Sequence, residues 1–199
     1  MDQAVWSAST AASLADALRG DAFYTHVVEP VDAPLRRAAL TAYFAAALAE
    51  GAAVGKVVAE PHGAAIWSNT GGSSGGAVAA AEAARREAIR AALGEAGLQR
   101  FDAAVAEMSA VADALPELAG AWYLSILGVS PQLQRTGLGR RLLAPTLAEA
   151  DRARVACWLE TYGEETLPFY ASLGFLALGA PVMARSVGAQ YWILLRPPM

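Results

Sequence analysis

The spacing of apolar residues switches along this chain between a helical and an alternating period. Leu40, Phe44 and Leu48 fall on one helical stripe, with Pro34 in the first turn and Gly51 past the last, which predicts a helix over 33–51. Ahead of it, "AVWSA" (4–8) reads as a first strand, and "TAASLADALR" as a helix with Ser9 or Thr10 as N-cap. "GKVVAE" and "GAAIWS" read as short strands turned at Pro61, His62 and Gly63, a hairpin. "NTGGSSGG" (69–76) reads as a surface loop rather than a linker, because neither flank carries enough strands to fold alone. Two alanine-rich helical segments follow at about 77–93 and 98–115. A strand (121–129), a glycine turn, a helix (about 137–153), a strand (155–160) and a short helix ended by Gly174 come next, and "FLAL" and "QYWILLR" close the chain as strands. Strands alternating with helices predict an α/β or α+β fold with one mixed sheet, and 199 residues suit one domain over 1–199.

The turn "QRTGLG" (134–139) lies between a strand and a helix and invites three phosphate-binding readings. The dinucleotide fingerprint fails because Leu142 stands where its third glycine belongs. The P-loop fails because Glu50 and Val57 flank Gly55–Lys56 at the required positions. What remains is Q-x-x-G-x-G opening a helix. Outward-pointing amides, the helix dipole and glycines without Cβ make that a seat for a diphosphate, with Arg135 and Arg140 adding charge-assisted bonds. The plainer alternative is an ordinary strand–helix turn that uses glycine for its geometry.

Composition narrows the classes. The chain is 55% apolar and 17% charged with a net charge of −4, a globular balance that argues against broad nucleic-acid binding and suits a small cationic partner. Cys157 is the single cysteine, so no internal disulfide forms. His26 and His62 are the only histidines, with no i, i+4 pair and no neighbouring cysteine, so no metal site is expected. The first ten residues lack the blocks of a signal peptide, and prolines and glycines interrupt the longest uncharged run, 166–184. A cytoplasmic protein with no membrane partner is expected. Arginine-based positive charge, with Lys56 the one lysine, and abundant alanine go with a GC-rich bacterial genome.

"SILGVSPQLQRTGLG" followed by "CWLETYGEETLPFYASLGF" resembles the GCN5-related N-acetyltransferase (GNAT) superfamily, and within it the puromycin N-acetyltransferases. The likeness is carried by the strand–"GVSP"–glycine turn, the "LET" strand end and the "PFY…LGF" helix, over about 120–178. It implies a single mostly antiparallel sheet flanked by helices, with splayed central strands, and a cofactor half over about 119–199. It also implies acetyl-CoA as co-substrate, its diphosphate on Gln134, Arg135, Thr136, Gly137, Leu138, Gly139 and Arg140 and its pantetheine arm along Leu127, Gly128 and Val129. Gly128 in the strand then marks a bulge or a close approach. The implied partner is a small-molecule amine, an aminonucleoside antibiotic such as puromycin being one instance, with antibiotic resistance as the outcome; a homodimer is compatible. A non-catalytic acyl-CoA-binding sensor of the same fold is the alternative.

The same resemblance suggests roles for single residues. Glu160, ending a strand after apolar residues, is a general base acting through water, against the alternative of a solvated strand-end carboxylate. The Val129 N–H is the oxyanion donor. Tyr170 is the acid for the departing thiolate, against the alternative of a core tyrosine beside Phe169. A phenol near ~10 and a thiol near ~8.5 make full proton transfer uphill by roughly 2 kcal/mol, so Tyr170 must be tuned downward or mostly donate a hydrogen bond. Tyr162 stands where the puromycin enzymes have serine, which alters the cofactor arm or the substrate pocket. Trp67, Trp122 and His26 are candidate pocket walls, with core packing the safer reading for the tryptophans and a surface or core place for the histidine. Ser73 and Ser74 each match G-x-S-x-G, but the polar loop around them is unlike a nucleophile elbow, and the order Asp32, His62, Ser74 is set aside. Cys157 alternates with Val155 and Leu159 and reads as a buried strand residue.

Overall fold

A computed structural model describes residues 3–69, 71 and 73–199. Helices α1 (Gln3–Leu18), α2 (Ala22–Val28) and α3 (Arg36–Val54) precede the hairpin of β1 (Lys56–Glu60) and β2 (Gly63–Ser68). Then come α4 (Gly75–Asp113), β3 (Trp122–Val129), α5 (Leu138–Ala153), β4 (Cys157–Thr161), α6 (Leu167–Ala171), β5 (Leu176–Ala177), β6 (Val182–Ala184) and β7 (Ala189–Arg196). The sheet runs β1-β2-β3-β4-β7-β5 with β6 also on β7. Only β3 and β4 run parallel. It is therefore a mixed, mostly antiparallel sheet, with α1 and α3 over one face and α5 over the other.

Two expectations are corrected. Residues 4–8 belong to α1 rather than a strand; a five-residue apolar run cannot tell the two periods apart. Thr10 is consequently no cap: its hydroxyl donates to Glu60 O at 3.0 Å, and Ser13 donates to Pro61 O at 3.0 Å, so α1 is tied to the β1–β2 turn. The "DAFYTHVV" segment is a helix, α2, started by Asp21, whose carboxylate accepts from the amides of Phe23 (2.9 Å) and Tyr24 (3.4 Å). The two alanine-rich segments are two helices as expected: the run α4 is a pair joined by a kink at Gly94, where φ 72 and ψ 177 leave the helical region. Ser74 caps that run, accepting from the Ala77 amide at 3.3 Å; of the expected loop before it, Thr70 and Gly72 lie outside the described residues.

The feature that makes a site is the short β3–β4 pairing. It covers Trp122↔Cys157, Tyr123↔Trp158 and Leu124↔Leu159, and then stops. Pairing of β2 with β3 continues to Gly63↔Val129 but slips by one residue, leaving Ser125 as a bulge. The bulge inverts the strand's faces. Trp122 and Leu124 pack beneath α5 before it, whereas Ile126 after it joins the α1–α3 core and Leu127 takes the α5 side. The strand bends away from β4 there, and the sheet opens into a V. Among the described residues no helix is long and apolar enough to cross a membrane.

Candidate active site

A cleft of about 1300 Å³ occupies the V and extends between α2 and α4. One end is formed by the last residues of β3 and the start of α5; Leu127, Gly128, Val129, Gln134, Arg135, Gly137, Gly139 and Arg140 line it. Ser130 N–H donates to His62 O on the β2 side at 2.8 Å. Alternation along an antiparallel strand then turns the Val129 N–H away from β2, into the V. Gly137 precedes α5 with φ 88 and no side chain caps the helix. The first backbone bond closing that turn is Arg141 N–H to Gly137 O at 3.1 Å, so the amides of Leu138, Gly139 and Arg140 have no acceptor in the helix. Three amides at a positive helix end between two arginines, continuous with a free strand edge, fit an extended chain ending in a diphosphate.

Two residues expected here bring no side chain to the cleft, Leu138 offering only its amide. Thr136 closes the turn by donating to Leu133 O at 2.7 Å, and Leu138 is buried in the α5 core. Gly128 is regularly paired with Ala64, so the bulge is at Ser125; a Cβ on Gly128 would lie 2.5 Å from Leu14 Cδ2, which makes it a close approach of α1.

The other end is built from side chains. Glu160 stands just past the last β3–β4 rung, and the Tyr123 hydroxyl donates to its Oε2 at 2.8 Å. Burial pushes the Glu160 carboxyl up to about 7, with the Tyr123 bond pulling the other way. Tyr170 lines the same cleft from α6. Its phenol is not tuned downward: burial holds it well above the ordinary value, which suits it to donating a hydrogen bond rather than to releasing its proton. Tyr162 also faces the cleft and donates to Met108 Sδ of α4 at 3.3 Å, which puts it on the α2–α4 side.

Expected walls that the structure does not bring here are Trp67, Trp122 and His26. Both tryptophans are buried under α5. His26 packs against Arg100, whose guanidinium lies 3.5 Å from its Nδ1; burial, then that charge, lowers its pKa. The walls are instead Tyr24, Tyr43 and Phe101, with Asp21 at the rim. Beneath them lies Arg85, bonded to Glu50 Oε2 at 2.6 Å and Tyr43 OH at 3.0 Å, and 5.5 Å from the Tyr43 and Phe101 ring centres. The capping Asp21 and the apolar stripe of α3 were signals in the sequence; their convergence on one cleft was not. Cys157 is buried, and its thiol is pushed up to about 11 by that burial, unfit as a nucleophile.

Comparison with known proteins agrees with this geometry. The family profile described as an acetyltransferase (GNAT) domain matches residues 73–190. A Corynebacterium glutamicum structure described as histone acetyltransferase HPA2 and related acetyltransferase is similar in fold, with a TM-score of 0.64 and 19% identity over 100% of this chain and 94% of that one. Arylalkylamine N-acetyltransferase 2 from Aedes aegypti is similar with a TM-score of 0.56 and 12% identity over 100% of this chain and 97% of that one. The profile spans more than half of the chain, and the chain belongs to the GNAT acetyltransferase family as an acetyl-CoA-dependent N-acetyltransferase.

Proposed function

We propose that the 199 residues act as one catalytic domain that acetylates a small aromatic primary amine, an aminonucleoside such as puromycin being the instance closest to the sequence motifs, by direct transfer in a ternary complex. Acetyl-CoA supplies the acetyl group as an activated thioester. The amides of 138–140 with Arg135 and Arg140 would hold its diphosphate, and the free edge of β3 at 127–129 its extended arm. The observation that carries the reading is the set of groups lining one cleft with that helix start: a buried carboxylate, Glu160, and a buried phenol, Tyr170.

Glu160 accepts the proton of the incoming ammonium. With its carboxyl at about 7, it is a far better acceptor than an unperturbed carboxylate and still half ionised at neutral pH. The Val129 N–H, pointing into the V, steadies negative charge growing on a carbonyl oxygen beside it. Tyr170 donates a hydrogen bond to the departing sulfur. An amine-binding end lined by Asp21, Glu160 and Glu165 favours a cation, and Tyr24, Tyr43, Phe101 and Tyr162 offer ring contacts to an aromatic substituent. In a bacterial cytoplasm such an activity inactivates an amine antibiotic.

The test is thiol release from acetyl-CoA over a panel of amines that includes puromycin, with Tyr170→Phe alongside. Release should depend on an aromatic primary amine, and Tyr170→Phe, which removes one donor to developing charge, should slow it by roughly 10²–10³-fold. Acetyl-CoA binding without release for any amine would make the protein a binding module. Normal turnover by Tyr170→Phe would remove the phenol from the reaction.

A further inference from the structure

Tyr123 has no place among the family motifs quoted above, yet it occupies the crotch of the V. It lies on the second of the three β3–β4 rungs, opposite Trp158, and its ring stacks on that indole at 4.3 Å with an interplanar angle of 27°. Two residues further along β3 the bulge at Ser125 carries the strand away; two further along β4 stands Glu160. The Tyr123 hydroxyl crosses between the strands at this point to Glu160 Oε2. A carboxylate has two oxygens, and this bond occupies one of them.

We propose that Tyr123 is a positioning residue for the reaction: stacked on Trp158, it fixes Oε2 of Glu160 so that Oε1 is the atom presented to the ammonium of the acceptor. The inference rests on Glu160 being the base. The phenol keeps its proton over any working pH, because burial and then the Glu160 charge hold it far above its ordinary value, so it is always the donor. A bond donated to a carboxylate favours the ionised form, opposing the burial that disfavours it. Other groups act on the same cluster. From the bend after β4 comes Tyr162, from β7 Tyr191, from α4 Glu107 and Arg85, from the turn before α2 Asp21, and from α2 and α3 Tyr24 and Tyr43. Burial holds every one of these tyrosines above its ordinary value, so the acid limb of the rate profile belongs to the carboxyl groups.

Tyr123→Phe keeps the ring on Trp158 and removes only the hydroxyl. In steady-state kinetics with the best amine of the panel, kcat should fall about tenfold while KM for acetyl-CoA stays within about twofold, and the acid limb of kcat/KM should move up by about one pH unit. A carbon-13 titration of the Glu160 carboxyl in the ligand-free protein should show the same displacement without turnover. An unmoved limb in Tyr123→Phe, with Glu160→Gln inactive, overturns the inference and leaves the base in place. Full activity of Glu160→Gln overturns both. If Tyr123→Phe does not fold, Trp158→Phe, which thins the stack and leaves the hydroxyl, should move the limb in the same direction by less; no movement there also overturns the inference.

Discussion

At the α5 end of the cleft the polar groups come chiefly from the main chain, the Val129 N–H and the amides that open α5 after a glycine at φ 88, flanked by the Arg135 and Arg140 side chains. At the α2–α4 end they belong to side chains brought from β3, β4, α2, α3, α4 and α6. The first end is written in one contiguous stretch, 127–140, where the backbone conformation does the work. The second exists only after distant segments have packed. An end made of amides is indifferent to most side-chain changes and sensitive to backbone strain; an end made of side chains is the reverse. The difference also separates what is common to the chemistry from what selects the amine.

The largest break in that comparison is expected from Glu160→Gln. It should lower kcat/KM for the amine by roughly 10²–10⁴-fold while acetyl-CoA affinity, read by calorimetry, stays unchanged. In the parent enzyme kcat/KM should rise with pH through about 7 as the carboxyl ionises. Stability runs the opposite way. The folded chain holds this proton more tightly than the unfolded chain, whose glutamate titrates near 4.5, so the group's contribution is fully present below 4.5 and is lost as pH rises towards 7. The loss is at most about 3 kcal/mol. Glu160→Gln should therefore melt higher than the parent at pH 8 and at about the same temperature as the parent at pH 4, which thermal scans at the two pH values check.

Arg85→Met comes next. It leaves Glu50 buried without its partner and should destabilise the fold by about 3 kcal/mol, a fall in Tm of roughly 6–12 °C. Pairing it with Glu50→Leu should recover most of the loss, because the unmatched charge then goes too. Acetyl-CoA affinity of the refolded single variant should stay near that of the parent.

The smallest effect sharpens the other side. Gly137→Val meets no neighbour within 4 Å but places a β-branched residue at φ 88. The strain is about 1–2 kcal/mol and falls on the start of α5. Acetyl-CoA should bind about tenfold more weakly with little change in the amine's KM, measured by calorimetry and initial rates.

The same contrast explains how much was legible in the residues alone. The glycine turn was legible from its own spacing, whereas Glu160 and Tyr170 were singled out by the resemblance that the contiguous stretch 120–178 carries; all three line one cleft. Trp67 and Trp122 took the safer of their two readings, core packing beneath α5, and the wall reading failed because both side chains lie on the α5 face of the sheet. Tyr24, Tyr43 and Phe101 could not be found by spacing, because nothing local relates three rings on three helices. Tyr123 was hidden for a simpler reason. In "AWYLSILGV" it is one more aromatic in a strand, and only the parallel register with β4 reveals the carboxylate within its reach.

With three rungs joining β3 to β4, the seven strands are in effect two ribbons sharing a narrow neck. What spans them is α5, whose Leu138, Leu142 and Leu147 rest in the same apolar layer as Trp67 on one ribbon and Leu159 and Leu194 on the other. The beam that braces the two ribbons is thus also the one whose tip reaches the cleft. Anything gripping that tip presses on the brace, so occupancy and the cohesion of the whole fold rise and fall together.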